Sequence, residues 1–344
     1  MKKNSLTTAI IAGVAGVAGL AGVAHAVNLN PDGLGQVLIY PYYTVNGGNS
    51  TLVTVVNTTN QVKAVKVRFV EALNSAEVLD FNLYLSPFDV WAANVVSSAS
   101  GGASLSVTDT SCTVPNIVNG SEFLTYEFVN NNPDALRGLG LPRVRQGHLE
   151  IIEMGVVVDP DLAAAATHTA AGSPLDCGEL QFAWESAPWA ANPHAGMEGP
   201  SGGLFGGATI ISGEFGRTLS YNADAIDGFF RNQGITLHTN PGSVLPSLGF
   251  AATEVTGEAV ARVFSNGDLY EIEYTNGIDA VSAVFQARYI YNEYNLNAGL
   301  NAASEWVITF PTKRSYVYPG PARLPFTAAF PIAANPSFTG SCHA

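Results

Sequence analysis

Three cysteines, the five scattered histidines beyond residue 26, two short carboxylate pairs and a loop flanked by aromatics are the residues of this chain that could do chemistry. The histidines at 148, 168, 194, 238 and 343 stand singly, as turn or surface residues usually do. No H-E-x-x-H, no paired C-x-x-C, no G-x-x-x-x-G-K-[ST] and no G-x-G-x-x-G occurs, so zinc hydrolysis and the common nucleotide-binding loops lack their ligand spacings. No nucleophile elbow, catalytic residue, metal or cofactor is expected. Glu150 and Glu153 lie three apart on a predicted strand and so point to opposite faces. They cannot form the facing pair that glycoside cleavage needs. Glu271 and Glu273 share a face, but the other face holds Tyr270, Ile272 and Tyr274, which read as the core side. The two glutamates are then a solvated row. Asn28, Asn30 and Asp32-Gly33 imitate the start of a calcium loop, yet the first ligand is Asn and the twelfth position is Ile39. This segment reads as a turn.

Cys112 and Cys177 both sit in loop-like sequence, DTSCTVPN and SPLDCGEL, and are paired here as a disulfide. An odd count leaves Cys342 over, either free or partnered outside this chain. Trp184, Trp189 and Phe205 flank a Pro/Gly-rich loop at 188–207 and are candidates for stacking on a sugar ligand. The alternative is that Trp184 belongs to the core of a short helix and Trp189 packs under the loop.

The elements that must position these residues are mostly strands. Residues 50–85 hold three alternating runs, STLVTVVNTT, QVKAVKVRFVEA and EVLDFNLYLSP. In the second, Val65, Val67 and Phe69 share one face and Lys66 and Arg68 the other; in the third, Leu79, Phe81, Leu83 and Leu85 oppose Asp80, Asn82 and Tyr84. That alternation predicts antiparallel sheets with one wet face. The first run is apolar on both faces and reads as a more central strand. Further strands are predicted at 34–43, with Pro41 marking its end or an edge position, and at 88–96, 105–107, 123–129, 147–158, 208–213, 214–221 and 305–310, with a weaker one at 250–255. A hairpin is predicted at 258–274 around Asn266-Gly267. Short helices are predicted at 162–167 and 176–187, and helix is favoured over strand for 278–295. The fold class is therefore mainly β, an immunoglobulin-like antiparallel β-sandwich or sandwiches with a few short helices.

Residues 1–26 read as a signal peptide: Lys2-Lys3, an apolar Ala/Gly run, and Ala24-His25-Ala26 as the cleavage site. No later segment is long and apolar enough to span a bilayer. The remaining chain divides into an N-terminal sandwich at 27–158, a helical and loop insertion at 159–207, a second β-rich part at 208–318 and a Pro-rich tail at 319–344. A net charge of −13 argues against nucleic acid as a partner. Charged residues make up only 12%, so Asn, Ser, Thr and Gly must keep the surface polar and few lysines guard the sheet edges. Pairing of edges with further copies or other surface proteins is one expectation, with the tail and residues 27–43 as candidate donor strands. Glycans are the alternative partners, bound by a carbohydrate-binding module or cleaved by a secreted glycan-active enzyme.

The runs GLGQVLIYPYYT, KAVKVRFVEALNSAEVLDFNLYLSPFDVW, SYNADAIDGF and WVITFPTKR together resemble a group of uncharacterised secreted bacterial cell-surface proteins. The resemblance covers most of residues 27–344 and implies an exported β protein of the cell surface or periplasm. It carries no active site. It also implies further cysteine-containing sequence beyond TFPTKR, whereas this chain stops just after Cys342. The expected role is non-catalytic, structural or adhesive.

Overall fold

Alternation at 50–85 produces three long strands: β3 (Asn49–Asn57), β4 (Val62–Glu71) and β5 (Glu77–Leu85). The computed structural model that contains them describes residues 26–128, 140–230, 235–251, 258–265, 267–287, 290, 306–317 and 322–326. The predicted signal peptide up to residue 25, Asn266 of the hairpin turn, residues 252–255 of the weaker strand and Cys342 lie outside the described residues.

Two antiparallel sheets form the body. The larger sheet adds to β4 and β5 the strands β1 (Asn28–Leu29), β2 (Val37–Thr44), β8 (Cys112–Val114), β10 (Gln146–Val157) and β14 (Asp224–Asp227). Its order is β1-β14-β2-β10-β4-β5-β8, and β11 (Met197–Glu198) pairs with β10. The smaller sheet contains β6 (Val90–Ser97), β7 (Ala103–Ser106), β9 (Ser121–Glu122), β12 (Leu204–Ser212) and β13 (Arg217–Asn222), in the order β13-β12-β3-β6-β7-β9. The chain is mainly β, and strand β3 is central, as its two apolar faces predicted. Eight and six strands exceed the seven to nine of an immunoglobulin sandwich.

Val65, Val67 and Phe69 of β4, Phe81, Leu83 and Leu85 of β5, and Leu149 and Ile151 of β10 turn inward against Val53, Val55, Trp91 and Val95 of the smaller sheet. Each contributes about 1.5–3 kcal/mol when fully buried. Two glycines let β10 run this far. A Cβ on Gly147 would lie 1.9 Å from the Val70 carbonyl oxygen, and Gly155 has φ +154° with its Cβ position 2.4 Å from the Glu198 carbonyl oxygen. Both mark β-bulges, at which the register of β10 shifts.

The expectation of a wet second face is overturned. That face of the larger sheet carries a second core, built with α1 (Pro160–Ala166), α2 (Cys177–Glu185), α3 (Gly277–Val284), the loop holding Trp189, and the segment 237–251. Lys66, Asn82 and Tyr84 are fully buried as a result. All three helices begin on a side-chain cap, from Asp159, Asp176 and Asn276 respectively. A short helix, α4 (Lys313–Val317), packs Tyr316 and Val317 into the same core.

Other expectations need correction. The proposed boundary before residue 208 runs through β12, because β12, β13 and β14 complete the two sheets begun by the first 157 residues. Pro41 does not end its strand but takes the other predicted role, an edge-like position: it sits inside β2 where the pairing with β10 slips, beyond the reach of β14, so no ladder needs its missing N–H. Residues 123–128 form no strand, and neither do residues 306–310. The hairpin exists as β15 (Ala259–Ser265) and β16 (Asp268–Tyr274), but Tyr270 and Ile272 are exposed, so its expected core side is not covered by the described residues.

Candidate functional site

Three places gather polar or aromatic side chains. The first is the box around Trp189. Tyr84 projects from β5 and stacks on Trp189 with centroids 5.4 Å apart and planes 6° from parallel. Trp184 of α2 donates Nε1–H to the Tyr84 hydroxyl at 2.7 Å. His238 closes the box, 4.7 Å from Trp189 and 4.8 Å from Trp184 by ring centroid. Its Nε2 lies 3.0 Å from the Tyr84 hydroxyl and its Nδ1–H donates a hydrogen bond to the Pro193 carbonyl oxygen at 2.6 Å. Burial pushes the imidazole pKa down to about 3, so His238 is neutral. Trp189 has 0% exposure and donates its own N–H to the Ala195 carbonyl. The two tryptophans therefore meet, but as core; Trp189 offers no ring face to a sugar. Phe205 is not with them: it sits on β12 in the other sheet, against Gly33. Cys112 of β8 is bonded to Cys177, which pins the start of α2 to the end of the larger sheet.

The second place is a row of ion pairs on the buried second face. Arg68 binds Glu77 at 2.9 Å and Glu150 at 3.0 Å, Lys66 approaches Asp80 at 3.4 Å, and His148 lies 3.5 Å from Glu150. Burial lowers the Lys66 pKa to about 8 despite Asp80. Burial raises Glu77; at Glu150 the opposing pull of Arg68 and His148 outweighs burial and the carboxyl stays below its ordinary range. Glu77 and Asp80 also border a half-open cavity of about 380 Å³ with Leu79, Ile117, Leu124 and Tyr126. The carboxylates do not make a glycoside-cleaving pair. The Arg68 guanidinium lies between Glu77 and Glu150, where a scissile bond would have to sit.

The third place is a corner inside the sandwich. Lys63 shares the parity of Val65, Val67 and Phe69, and so points into the core at the end of β4. Glu153 of β10 meets it there: Nζ is 2.7 Å from Oε1, and both side chains have 0% exposure. The backbone N–H of Ser201 donates to Oε1 at 2.9 Å and that of Gly202 to Oε2 at 2.7 Å. Lys63 Nζ also donates to Ser201 Oγ, whose own proton goes to Gln61 Oε1. Burial raises the Glu153 pKa against the pull of Lys63 and the two amides. Glu150 and Glu153 do point to opposite faces, as their spacing predicts.

Ser201 was missed by the motif reading. Gly199-Pro200-Ser201-Gly202-Gly203 has the G-x-S-x-G spacing of a nucleophile elbow. Its setting is wrong for one: it links β11 to β12 rather than a strand to a helix, Ser201 is not among the residues with positive φ, and its partners are Lys63 and Gln61. The signal for this corner was a lysine in phase with a core stripe.

Among the described residues no group of three or more His, Cys, Asp or Glu could hold a metal ion. Asn30 closes a turn, accepting from the Asp32 N–H and donating to the Leu34 carbonyl. Glu271 pairs with Arg262 at 2.7 Å on the exposed hairpin. No described helix is long and apolar enough to cross a membrane. No family model, curated protein or solved structure matches this chain.

Proposed function

We propose that this is an exported, non-catalytic bacterial surface protein with a structural or adhesive role, which associates with further copies through sheet edges. The observation that carries the reading is strand β13. It is the last strand of the smaller sheet, and among the described residues nothing pairs with its outer edge. Five of its six residues are exposed, with Leu219 at 64%, and Arg217 is its one charge. Such an edge presents unpaired N–H and C=O groups, and lysine is the usual guard against pairing. This chain has lysines only at 2, 3, 63, 66 and 313, and the pair in the sandwich body is buried. A second copy adding its β13 antiparallel would continue the sheet across a twofold axis. The apparent signal peptide, the low charge and the resemblance to secreted surface proteins support the exported setting.

Light scattering on the chain without residues 1–26 tests this. Dimers or larger species are expected, against a strict monomer at high concentration, which would sink the proposal. Backbone N–H groups alternate sides along a strand. Of the variants Leu219→Pro and Ser220→Pro, one therefore removes an outward N–H and leaves the β12 ladder whole. That variant is expected to be monomeric with an unchanged unfolding midpoint.

A further inference from the structure

We infer that Lys63 and Glu153 are the two ends of a covalent crosslink, an amide formed within the chain between Lys63 Nζ and Glu153 Cδ. The ground is the corner geometry. A lysine and a glutamate from adjacent antiparallel strands meet at 2.7 Å, with no exposed side-chain surface on either. They are diagonal neighbours in the ladder, Lys63 opposite Val156 and Val65 opposite Glu153. That spacing is about 7–8 Å between Cα atoms, well within the combined reach of the two side chains. The Gly155 bulge, which only glycine can occupy with φ +154° and the Glu198 carbonyl so near, turns the β10 backbone just beyond Glu153.

The carboxyl group is held as an acyl group is held for attack. Two backbone N–H groups, from Ser201 and Gly202, aim at its two oxygens, and such fixed donors stabilise the oxyanion that forms when a nucleophile adds. The alternative, a charge-separated pair in a dry interior, bears the desolvation of both ions. An amide carries neither charge. Holding amine and acid together also removes the entropy cost of bringing them into contact.

The atoms balance with no co-reactant. One proton passes from the Lys63 ammonium to the carboxylate, leaving a free amine and a carboxylic acid. Burial favours that neutral pair by raising the Glu153 proton affinity. The Nζ lone pair adds to Cδ, and the charge develops on Oε2 against the Gly202 N–H. A second Nζ proton passes directly to the departing Oε1 hydroxyl, which Nζ already meets at 2.7 Å. The Cδ–Oε1 bond breaks, water leaves past the exposed Ser201, and an Nζ–Cδ amide remains. Nothing is oxidised or reduced.

Mass spectrometry of the purified chain, folded and then reduced to open the disulfide, decides the matter. The expected mass is that of the sequence less one molecule of water. After trypsin the peptide ending at Lys66 should be found joined to the peptide from Gln146 to Arg217. In Lys63→Arg the water should be regained, since a guanidinium keeps the ion pair but is a poor nucleophile. The inference is overturned if the reduced parent has its full sequence mass and the two peptides are recovered separately. It is equally overturned if a loss of water maps to any other residues. Neither result depends on the variant folding, and neither bears on association through β13.

Discussion

The far end of β4 offers the sharpest test of how this sandwich handles buried charge. Glu71 shares the core parity of Lys63 and is fully buried. Its Oε1 accepts from the N–H of Asn74 at 2.9 Å and of Ala76 at 3.0 Å, and its Oε2 from that of Leu73 at 2.8 Å. Arg143 completes the shell, Nε to Oε2 at 2.9 Å and Nη2 to Oε1 at 3.1 Å, while its guanidinium lies over the Phe128 ring at 4.2 Å. Glu71→Ala leaves Arg143 without its carboxylate and strips three backbone N–H groups of their acceptor. Breaking a buried pair costs about 3–5 kcal/mol. Each stranded N–H adds about 1–3 kcal/mol where water does not reach it. Since these terms overlap, a loss of about 5 kcal/mol is expected, a large part of the ~5–15 kcal/mol that holds a typical domain. Arg143→Met fills the place of the arginine stem with an apolar chain and leaves Glu71 its three amides, so its cost should fall to about 3 kcal/mol. Urea unfolding followed by tryptophan fluorescence measures both, provided the slopes agree with the parent. A loss below about 1.5 kcal/mol for Glu71→Ala, or a larger loss for Arg143→Met, would refute the view that the turn is organised on the carboxylate.

Replacing Cys112 and Cys177 together by Ala opens a loop with a sequence separation of 65 residues. The expected loss is about 4 kcal/mol, read as a lower urea midpoint that matches the parent under reducing conditions. His238 makes stability depend on pH. Unfolded imidazole titrates near 6.5 and the buried one near 3, so between these values the unfolded chain binds more protons. The His238 contribution should be flat above about pH 6.5 and fall by about 1.4 kcal/mol per unit toward pH 3. His238→Gln should flatten that slope, and an unchanged slope would show that other groups set it.

Much of the fold was legible because strands announce themselves at period two. β2 to β6 and β10 follow from Val, Leu and Phe at alternate positions, and the pairing of Cys112 with Cys177 followed from loop context. The covering of the second face was not legible. The segments that cover it, around Trp189 and His238, have little periodicity; they pack by single aromatic anchors and backbone hydrogen bonds. Lys66 and Arg68 then read as solvated, since a charge paired inside and a charge in water look alike in one strand's pattern. Lys63 and Glu71 carried a better signal. Both are in phase with Val65, Val67 and Phe69, which a wet charge would not be. Their partners, Glu153 and Arg143, come from far along the chain, so only the need for a partner could be read and not its identity.

Placing scarce charges inside has a consequence for the surface. A one-residue slip of β4 against β10 would turn Val65, Val67 and Phe69 to the face that Lys66 and Arg68 now occupy, and it would also part Arg68 from Glu150 and Lys63 from Glu153. Each parting leaves a buried ion uncompensated, at about 3–5 kcal/mol. The interior pairs thus penalise wrong registers more steeply than hydrophobic contact alone, which tolerates approximate fits. The same lysines are then absent from the sheet margins. Edge protection must come from twist, short strands or cover, and the other margin of the smaller sheet has it, since β9 is only two residues long. At β13 a six-residue edge with an exposed leucine is neither short nor covered among the described residues. A chain that uses its lysines to fix β4 leaves β13 open to pairing, so lysine placed at Leu219 should block association without disturbing the core.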